Sequence, residues 1–303
     1  MRILFIYISQ FFLIITLLYG DDISLSKAKE FYEKGNYKKS IEILNNLLKK
    51  DSSLKSQIYN LRGINNYHLG KYKEALEDFN KSLYNSQIFL NTLLELNKKE
   101  DIKELNQFIT NVHFNRTLVY QELGLLDSTL IDLNYVIEND RNNKFAYFNK
   151  GFVFYQMGKK DSAIEYFSKV LLLDSNDLDA KYNRANIYYE LQNCIKAIED
   201  YIELIKKNKY DEYIYLNIAN CYFNDKQYNL SIEYYTKALE LNNLLIVALY
   251  NRAQAYKSIN DLEKAISDIQ IVIKNIDKDK KMLEKKDLIS KELEYLIKLK
   301  ENK

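Results

Sequence analysis

Small residues and glycines recur at a fixed spacing in this chain, and that spacing constrains the fold more than any other feature. Ala163, Ala197, Ser231 and Ala265 follow one another at intervals of 34 residues. Six of the seven glycines obey the same pattern, because four lie five residues before a small residue of the extended series and two lie seven residues before one of those glycines. A period of this length indicates stacked copies of one supersecondary unit.

Numbering each repeat so that this small residue is position 20 shows two amphipathic segments. Positions 4, 8 and 11 share one face of a first helix, and positions 20, 24 and 27 share one face of a second. Glycine at position 15 suits the left-handed conformation that ends a helix. The pattern predicts an all-α fold, a right-handed α-solenoid of about seven antiparallel two-helix repeats with a C-terminal capping helix. Positions 8 and 20 are small throughout, as in Ala28 and Ser40, Gly63 and Ala75, Thr117 and Thr129, Gly151 and Ala163, Ala185 and Ala197, Ala219 and Ser231, and Ala253 and Ala265.

The frame resembles the tetratricopeptide repeat, whose motif has small residues at positions 8 and 20 and aromatic residues at positions 4, 11 and 24. The fourth copy shows it well, with Tyr147, Gly151, Phe154, Ala163 and Phe167. The resemblance covers residues 21–279 in seven copies and implies a two-helix repeat fold. Two departures are that position 32 never holds proline and that position 4 varies.

The first 20 residues differ in kind from the rest. Met1 and Arg2 precede an apolar run over residues 3–19, and Gly20 follows it. This arrangement predicts a secretory signal peptide cleaved after Gly20, and the alternative is an uncleaved N-terminal anchor, since a bilayer span needs about 20 residues. Both interpretations export the remainder, so we expect a periplasmic, secreted or outward-facing membrane-anchored protein.

The spacing breaks once, between Ala75 and Thr129, which lie 54 residues apart instead of 34. We interpret the extra residues as a helical insertion, formed by a prolonged second helix and a short added helix after residues 98–101. Beyond the last repeat, an apolar stripe that includes Ile289 and Leu296 predicts the capping helix. The predicted organisation is a signal peptide or anchor at 1–20, a two-repeat block at 21–84, the insertion at 85–109, a five-repeat block at 110–279 and the capping helix at 280–303.

Charge and motifs argue against several classes of function. The formal net charge is +2, which opposes a nucleic-acid partner bound through its phosphates. The two histidines, His68 and His113, lie at different frame positions, and the sequence has no metal-binding, phosphate-cradling or nucleophile motif. We therefore expect no enzyme activity, no metal, no cofactor and no small-molecule substrate, with membrane contact only through residues 3–19 if they are retained.

The chain has two cysteines, Cys194 and Cys221. A chain long enough to bury a large core does not need a disulfide scaffold, so we expect two separate buried thiols. A bridge between them in an oxidising compartment is the alternative, but sequence spacing cannot place the two residues within reach of each other.

Position 6 is the candidate binding position, because it holds asparagine in five successive repeats. Positions 2, 6, 9 and 13 share a helix face distinct from the packing face, and position 9 adds Asn186 and Asn220. Stacking would bring these amides into one row, where each offers an acceptor and two donors to an extended peptide backbone. The alternative is that each amide pairs with a neighbouring repeat. The five position-6 residues are Asn115, Asn149, Asn183, Asn217 and Asn251.

Aromatic residues flank this row and would hold apolar side chains of a bound peptide, although packing between adjacent first helices is the alternative for each of them. The row resembles the asparagine ladder in the tetratricopeptide superhelix of the enzyme that adds N-acetylglucosamine to serine and threonine, which implies a concave peptide groove but no catalysis. The cationic clamp of chaperone-binding members is not evident, since Asp179 at position 2 has the wrong sign. The candidate aromatic residues are Phe148, Tyr155, Tyr182 and Tyr189.

These observations predict an exported, non-enzymatic module that binds a protein partner, as an extended peptide segment, in a concave groove. The alternative is a structural scaffold or assembly factor of a membrane or envelope complex, acting through its convex face or the 85–109 insertion. RNA binding by helical repeats is a third class, which the near-neutral charge opposes.

The frame itself can be tested at Ala197, which occupies position 20 of the fifth repeat. We expect Ala197→Phe to overpack the helix crossing and lower the free energy of unfolding by about 1–3 kcal/mol. Thermal melts of the variant and the parent protein measure this. An unchanged melting midpoint would show that position 20 is not a close helix contact.

Overall fold

The protein is an array of paired helices. The structure, a computed structural model, describes residues 23–50 and 54–302, and all regular structure within these ranges is helical. The chain forms two compact units, the first ending at Leu173 and the second beginning at Asp174. The predicted signal peptide or anchor at 1–20 lies outside the described residues. No helix of the described ranges is long and apolar enough to cross a membrane.

Each repeat corresponds to two consecutive helices. The first unit holds repeats 1–4, formed by α1 (Ile23–Glu33), α2 (Tyr37–Leu48), α3 (Lys55–His68), α4 (Tyr72–Glu95), α5 (Lys99–Glu122), α6 (Leu126–Asn139), α7 (Lys144–Gln156) and α8 (Lys160–Leu173). The second unit holds repeats 5–7 and a C-terminal extension, formed by α9 (Leu178–Glu190), α10 (Cys194–Lys206), α11 (Glu212–Asn224), α12 (Tyr228–Leu241), α13 (Ile246–Ser258), α14 (Leu262–Asn275), α15 (Lys280–Leu283) and α16 (Lys286–Glu301). The fold is therefore the all-α solenoid that the period predicts.

The two helices of a repeat cross closely because positions 8 and 20 carry little or no side chain. All fourteen residues at these positions are buried. A β-carbon on Gly63 would lie 3.0 Å from the ring of Phe79 at position 24, and one on Gly151 would lie 3.3 Å from the ring of Phe167. The large position-24 side chain thus fills the space that the small position-8 residue leaves.

Position 15 has a positive φ in all seven repeats. The four glycines predicted to end first helices adopt φ values of 70–73°. The last three repeats use residues with a β-carbon instead, and Gln192, Lys226 and Asn260 have φ values of 59°, 60° and 65°. The turn geometry therefore persists where the glycine does not, at the cost of steric strain for two of these side chains.

The 54-residue spacing corresponds to an elongated helical hairpin. Both α4 and α5 have 24 residues, whereas the other second-helix elements of the first unit have 12 or 14. The prolonged second helix agrees with the sequence analysis, but the short added helix is not separate. It is continuous with the first helix of repeat 3, because nothing between Lys99 and Glu122 interrupts a helix: this stretch has no glycine or proline. Leu93, Leu105 and Phe108 form the buried core of the hairpin.

Four repeats contain a buried arginine–aspartate pair that the sequence analysis did not identify. The arginine is at position 7 and the aspartate, 16 residues later, is at position 23. In repeat 3, the guanidinium of Arg116 donates two hydrogen bonds of 2.7 Å to Asp132, whose side chain is 1% exposed. The other pairs are Arg62 with Asp78, Arg184 with Asp200, and Arg252 with Asp268.

The same arginines also connect neighbouring repeats through their third guanidinium nitrogen. Arg62 donates from Nη1 to Asn45 of repeat 1 at 2.6 Å, and Arg116 donates to Asn80 of repeat 2 at 2.7 Å. In the second unit, Arg252 donates to Thr236 of repeat 6 at 3.0 Å. Each arginine therefore fixes the crossing of its own repeat and the docking of the previous one.

The expectation of two separate thiols at Cys194 and Cys221 is wrong. These residues form a disulfide with a Cα–Cα distance of 5.3 Å, which joins the start of α10 in repeat 5 to α11 in repeat 6. Sequence separation could not reveal the contact, because stacking of adjacent repeats brings the two positions together. The bridge is a covalent link between consecutive repeats of the second unit.

The C-terminal helix α16 covers the last repeat as predicted. Ile289 and Leu296 are 1% and 0% exposed, and they pack into the cluster that contains Ile269 and Val272 of α14. Leu288 and Tyr295, on another face of α16, are 70% and 56% exposed. One face of the helix thus closes the apolar core while another lies in water.

The non-glycine turns provide a test of backbone strain. Lys226→Gly should raise the free energy of unfolding by about 1 kcal/mol, because glycine adopts a positive φ without a steric penalty. The matched variant Gly158→Ala should lower it by about 1 kcal/mol through backbone strain alone, since an added β-carbon meets nothing within 4 Å. Urea unfolding measures both, and a destabilised Lys226→Gly would contradict the strain argument.

The Arg116–Asp132 pair predicts a pH-dependent contribution to stability. Burial raises the pKa of Asp132, but hydrogen bonds from Arg116 and His113 outweigh that effect, so the pKa of Asp132 lies below its usual range. The stabilisation is therefore present above the unfolded pKa of about 3.9 and is lost as the pH falls through the lower folded value. Asp132→Asn should cost about 3 kcal/mol at pH 7 and less at pH 2.

The exposed pair Lys169–Glu165 provides the control for that measurement. Its side chains are 40% and 59% exposed, so Glu165→Gln should change stability by only about 0.5 kcal/mol. Urea unfolding at both pH values measures the two variants. Equal costs for Asp132→Asn and Glu165→Gln at pH 7 would show that the buried pair adds nothing beyond a surface ion pair.

Candidate peptide-binding site

The candidate site lies on the first helices of the repeats, on the face that carries positions 2, 6, 9 and 13. We call this the amide face. Capping side chains fix where several of these helices begin, as Asn143, Asp177 and Asp211 each accept a backbone N–H of the first turn of α7, α9 and α11. Position 6 then falls in the middle of each helix, away from positions 8 and 11. Its asparagine is half-buried in four repeats and 6% exposed at Asn149.

In the second unit, Asn217 is part of a hydrogen-bonded chain that joins two repeats. Its Nδ2 donates to the hydroxyl of Tyr201 at 3.0 Å. That hydroxyl in turn donates to Oδ1 of Asn186 at 2.6 Å. An amide of repeat 6 is thereby held by a tyrosine and an amide of repeat 5.

Asn251 enters an equivalent arrangement one repeat later. Its Nδ2 donates to Oδ1 of Asn220 at 3.0 Å, and the hydroxyl of Tyr235 donates to the same oxygen at 2.7 Å. Nδ2 of Asn220 donates to the hydroxyl of Tyr189 at 2.9 Å. For Asn217 and Asn251, the pairing with a neighbouring repeat that the sequence left open is therefore present.

Tyr201 and Tyr235 organise these amides, and the sequence analysis did not identify them as part of the site. Both occupy position 24, and they are 0% and 1% exposed. Burial raises the pKa of both hydroxyls far above the ordinary value, so each stays neutral and able to donate. The available signal was the residue type, because a tyrosine at position 24 carries a hydroxyl that phenylalanine or leucine lacks.

The other three position-6 amides are not tied to a tyrosine. Nδ2 of Asn115 donates to Oδ1 of Asn60 on α3 at 3.3 Å, and Nδ2 of Asn183 donates to the carbonyl of Asp179 on its own helix at 2.7 Å. Asn149 has no hydrogen-bond partner among the described residues. Repeat 3 offers Asn149 only leucines, Leu118 and Leu133, at the two positions whose polar side chains hold Asn217 and Asn251.

The candidate aromatic residues lie in different surroundings. Phe148 packs edge-on against Phe167 of its own repeat, with the ring centroids 5.3 Å apart. Tyr182 and Tyr189 are half-buried beside the core of repeat 5, and burial raises the pKa of Tyr182 while a hydrogen bond with Asn186 opposes the rise. Tyr155 is 37% exposed. The candidate aromatics therefore range from core packing to the surface.

At its C-terminal end, the amide face is closed by a carboxylate of α16. Glu292 accepts hydrogen bonds from Tyr250 at 3.2 Å, from Gln254 at 3.1 Å and from Lys257 at 2.7 Å. Burial raises the pKa of Glu292, but the bonds from Lys257, Gln254 and Tyr250 leave it below the usual range. Glu292 thus gives the last repeat the polar partner that a following repeat would supply.

The described residues contain no group of three or more histidine, cysteine, aspartate or glutamate side chains arranged to hold a metal ion. The site is instead a row of amides, tyrosine hydroxyls and aromatic rings on consecutive two-helix repeats. Such an arrangement can form hydrogen bonds with a polypeptide without reacting with it. It defines a helical-repeat protein of the kind that binds other proteins.

The chain belongs to the tetratricopeptide repeat (TPR) family. Three models of that repeat together match about half of the chain, and tetratricopeptide repeats form protein–protein interaction modules. No curated protein matches the sequence. The matched residues are 25–87, 145–177, 213–243 and 246–274.

Solved structures show the same fold at low sequence identity. The C-terminal part of a TPR repeat-containing protein from Cytophaga hutchinsonii is 20% identical, with a TM-score of 0.70 over 86% of this chain and 98% of that chain. MamA from Desulfovibrio magneticus RS-1 is 18% identical, with a TM-score of 0.52 over 56% of this chain and 97% of that chain. YrrB, a TPR protein with an unusual peptide-binding site, is 19% identical, with a TM-score of 0.51 over 64% of this chain and 94% of that chain.

Proposed function

We propose that this protein is an exported, non-enzymatic interaction module that binds an extended peptide segment of a protein partner on its amide face. The observation that carries the proposal is the unused hydrogen-bonding capacity of the position-6 amides. Asn149 has no partner among the described residues, and Asn183 uses only one N–H, on its own helix. A peptide backbone supplies both the donors and the acceptors that such amides lack.

Family membership and one structural relative support a peptide ligand. Tetratricopeptide repeats are protein-binding modules, and YrrB, which shares the fold, has a peptide-binding site. Aromatic side chains beside the amides would contact apolar side chains of the ligand, as Tyr155 is 37% exposed and Tyr213 is 51% exposed. This combination favours recognition of an extended backbone with apolar side chains.

Export is the second part of the proposal. The apolar run at residues 3–19 has the composition of a signal peptide or an anchor. The Cys194–Cys221 disulfide provides an independent argument, because such bonds persist in oxidising compartments and are rare in the reducing cytosol. The two features lie in separate parts of the chain and point to the same side of a membrane.

A scaffold function through the 85–109 region is a second candidate that one observation favours. The outer surface of the long hairpin exposes apolar side chains, with Tyr84, Ile88, Leu94 and Leu96 between 51% and 69% exposed. Residues 82–94 also carry no charged side chain, although 28% of the chain is charged. Protein interfaces are typically depleted of charge and enriched in tyrosine.

Selection of peptides on the full chain separates the two functions. A library of random 12-residue peptides is displayed on phage and selected, and the affinity of the strongest binder is measured by fluorescence anisotropy. The same measurement is made on a variant that lacks residues 88–107, which restores the 34-residue spacing. We expect Kd to change by less than about twofold, or 0.4 kcal/mol, because the amide face is unchanged.

Circular dichroism of the deletion variant is the control for folding. Loss of peptide binding by a folded deletion variant would assign the ligand to the hairpin and contradict the amide-face proposal. A library that yields no peptide above background on the parent protein would reject peptide binding altogether.

A further inference from the structure

We infer that the peptide site lies on the amide face of the first unit, in repeats 2–4, and that the amide network of the second unit is structural. This inference rests on the proposed function and locates it. It starts from buried polar atoms that lack hydrogen bonds. Four side-chain atoms of the described residues are buried without a partner, and all four are in the first unit: Gln57 Oε1, Asn65 Oδ1, Ser86 Oγ and Gln121 Nε2.

Two of these atoms border the amide face. Gln57 is at position 2 of α3, and Gln121 is at position 12 of α5. A buried polar atom without a partner is unfavourable, and native proteins keep few of them. Asn149, at position 6 of α7, adds an amide that is 6% exposed and has no partner among the described residues. Its polar atoms are not among the fully buried ones, so a ligand can reach them.

Comparison with the second unit explains why these groups are unpaired. There, Asn220 at position 9 donates to Tyr189 at position 12 of the preceding repeat. In the first unit, the residue equivalent to Tyr189 is Gln121, but the residue equivalent to Asn220 is Phe152. The polar partner has been replaced by an apolar ring, so the amide of Gln121 has no neighbouring repeat to pair with.

The same replacement occurs at Asn149. The position-24 hydroxyls that hold amides in the second unit belong to Tyr201 and Tyr235, whereas repeat 3 has Leu133 there. The amide face of the second unit is therefore satisfied by the protein itself. The amide face of the first unit keeps groups that only a ligand can satisfy.

The chemistry of these groups specifies the ligand. Gln57 presents an acceptor, Gln121 presents a donor and Asn149 presents both, so a ligand must supply N–H and C=O groups together. Across positions 2, 6, 9 and 13 of repeats 2–4, the single acidic or basic residue is Glu122. Leu118 and Phe152 stand at position 9 beside the amides. An extended peptide with a largely uncharged, apolar sequence satisfies all of these conditions.

The experiment uses the full chain and the strongest peptide from the 12-residue phage library as the probe. The variants Gln121→Leu and Asn149→Leu each remove an unpaired amide from the first unit. We expect each to weaken the affinity for the peptide about tenfold, the value of one hydrogen bond in a desolvated site. We also expect the melting temperature to rise by about 2–4 °C, because an unsatisfied polar group is replaced by an apolar one.

The matched control is Asn251→Leu in the second unit, which removes the bond to Asn220. Here we expect the opposite pattern, a lower melting temperature and an unchanged affinity. Asn149→Ala adds no bulk and should lose the same affinity as Asn149→Leu, which keeps the test valid if the leucine does not fit.

Two outcomes would overturn the inference, and they can be told apart. If Gln121→Leu and Asn149→Ala bind the peptide as tightly as the parent while Asn183→Ala binds weakly, the site lies in the second unit and peptide binding itself stands. If the parent protein selects no peptide, both the proposed function and its location are wrong.

Discussion

The close crossing of two helices at positions 8 and 20 is the contact on which the rest of the structure depends. Gly63 and Gly151 leave room for a β-carbon only 3.0–3.3 Å from an aromatic ring, so a larger residue would push the helices apart. Because each repeat crosses in this way, the position-7 arginine reaches both the aspartate of its own repeat and an oxygen of the previous one. Intra-repeat packing and docking between repeats are therefore one problem, solved by a few side chains that recur at the same frame positions.

Position 24 links this packing to the amide face. As a core residue it needs only bulk, and the repeats use leucine, phenylalanine, tyrosine or isoleucine there. Where it is tyrosine, as in Tyr201 and Tyr235, its hydroxyl reaches the amides and joins them to the next repeat. Where it is leucine, as in Leu133, the amide of the following repeat stays available. A buried residue with no surface of its own thus decides whether a surface amide has a structural role or remains available to bind.

The sequence is sufficient for the repeat, the helix pairs and the capping helix, because each of these follows from periodicity. It is less informative where geometry is kept by an atypical residue. Gln192 and Lys226 adopt the left-handed turn without glycine, and a uniform helical stretch hides the merging of the inserted segment into α5. Contacts between repeats were the hardest to predict. The disulfide and the tyrosine–asparagine bonds join residues 15–31 positions apart, and only stacking shows that they meet.

The disulfide between repeats 5 and 6 also changes how this chain would respond to mechanical load. Most solenoids can yield repeat by repeat when their ends are pulled, since each unit contacts only its neighbours. A bond between Cys194 and Cys221, 27 residues apart, removes that stretch from the length the chain can release. At about 3.4 Å per extended residue, this withholds roughly 90 Å of extension. In an envelope, where a tethered protein is pulled by its partner, the oxidised array would act as a shorter and stiffer connection than its helix count suggests.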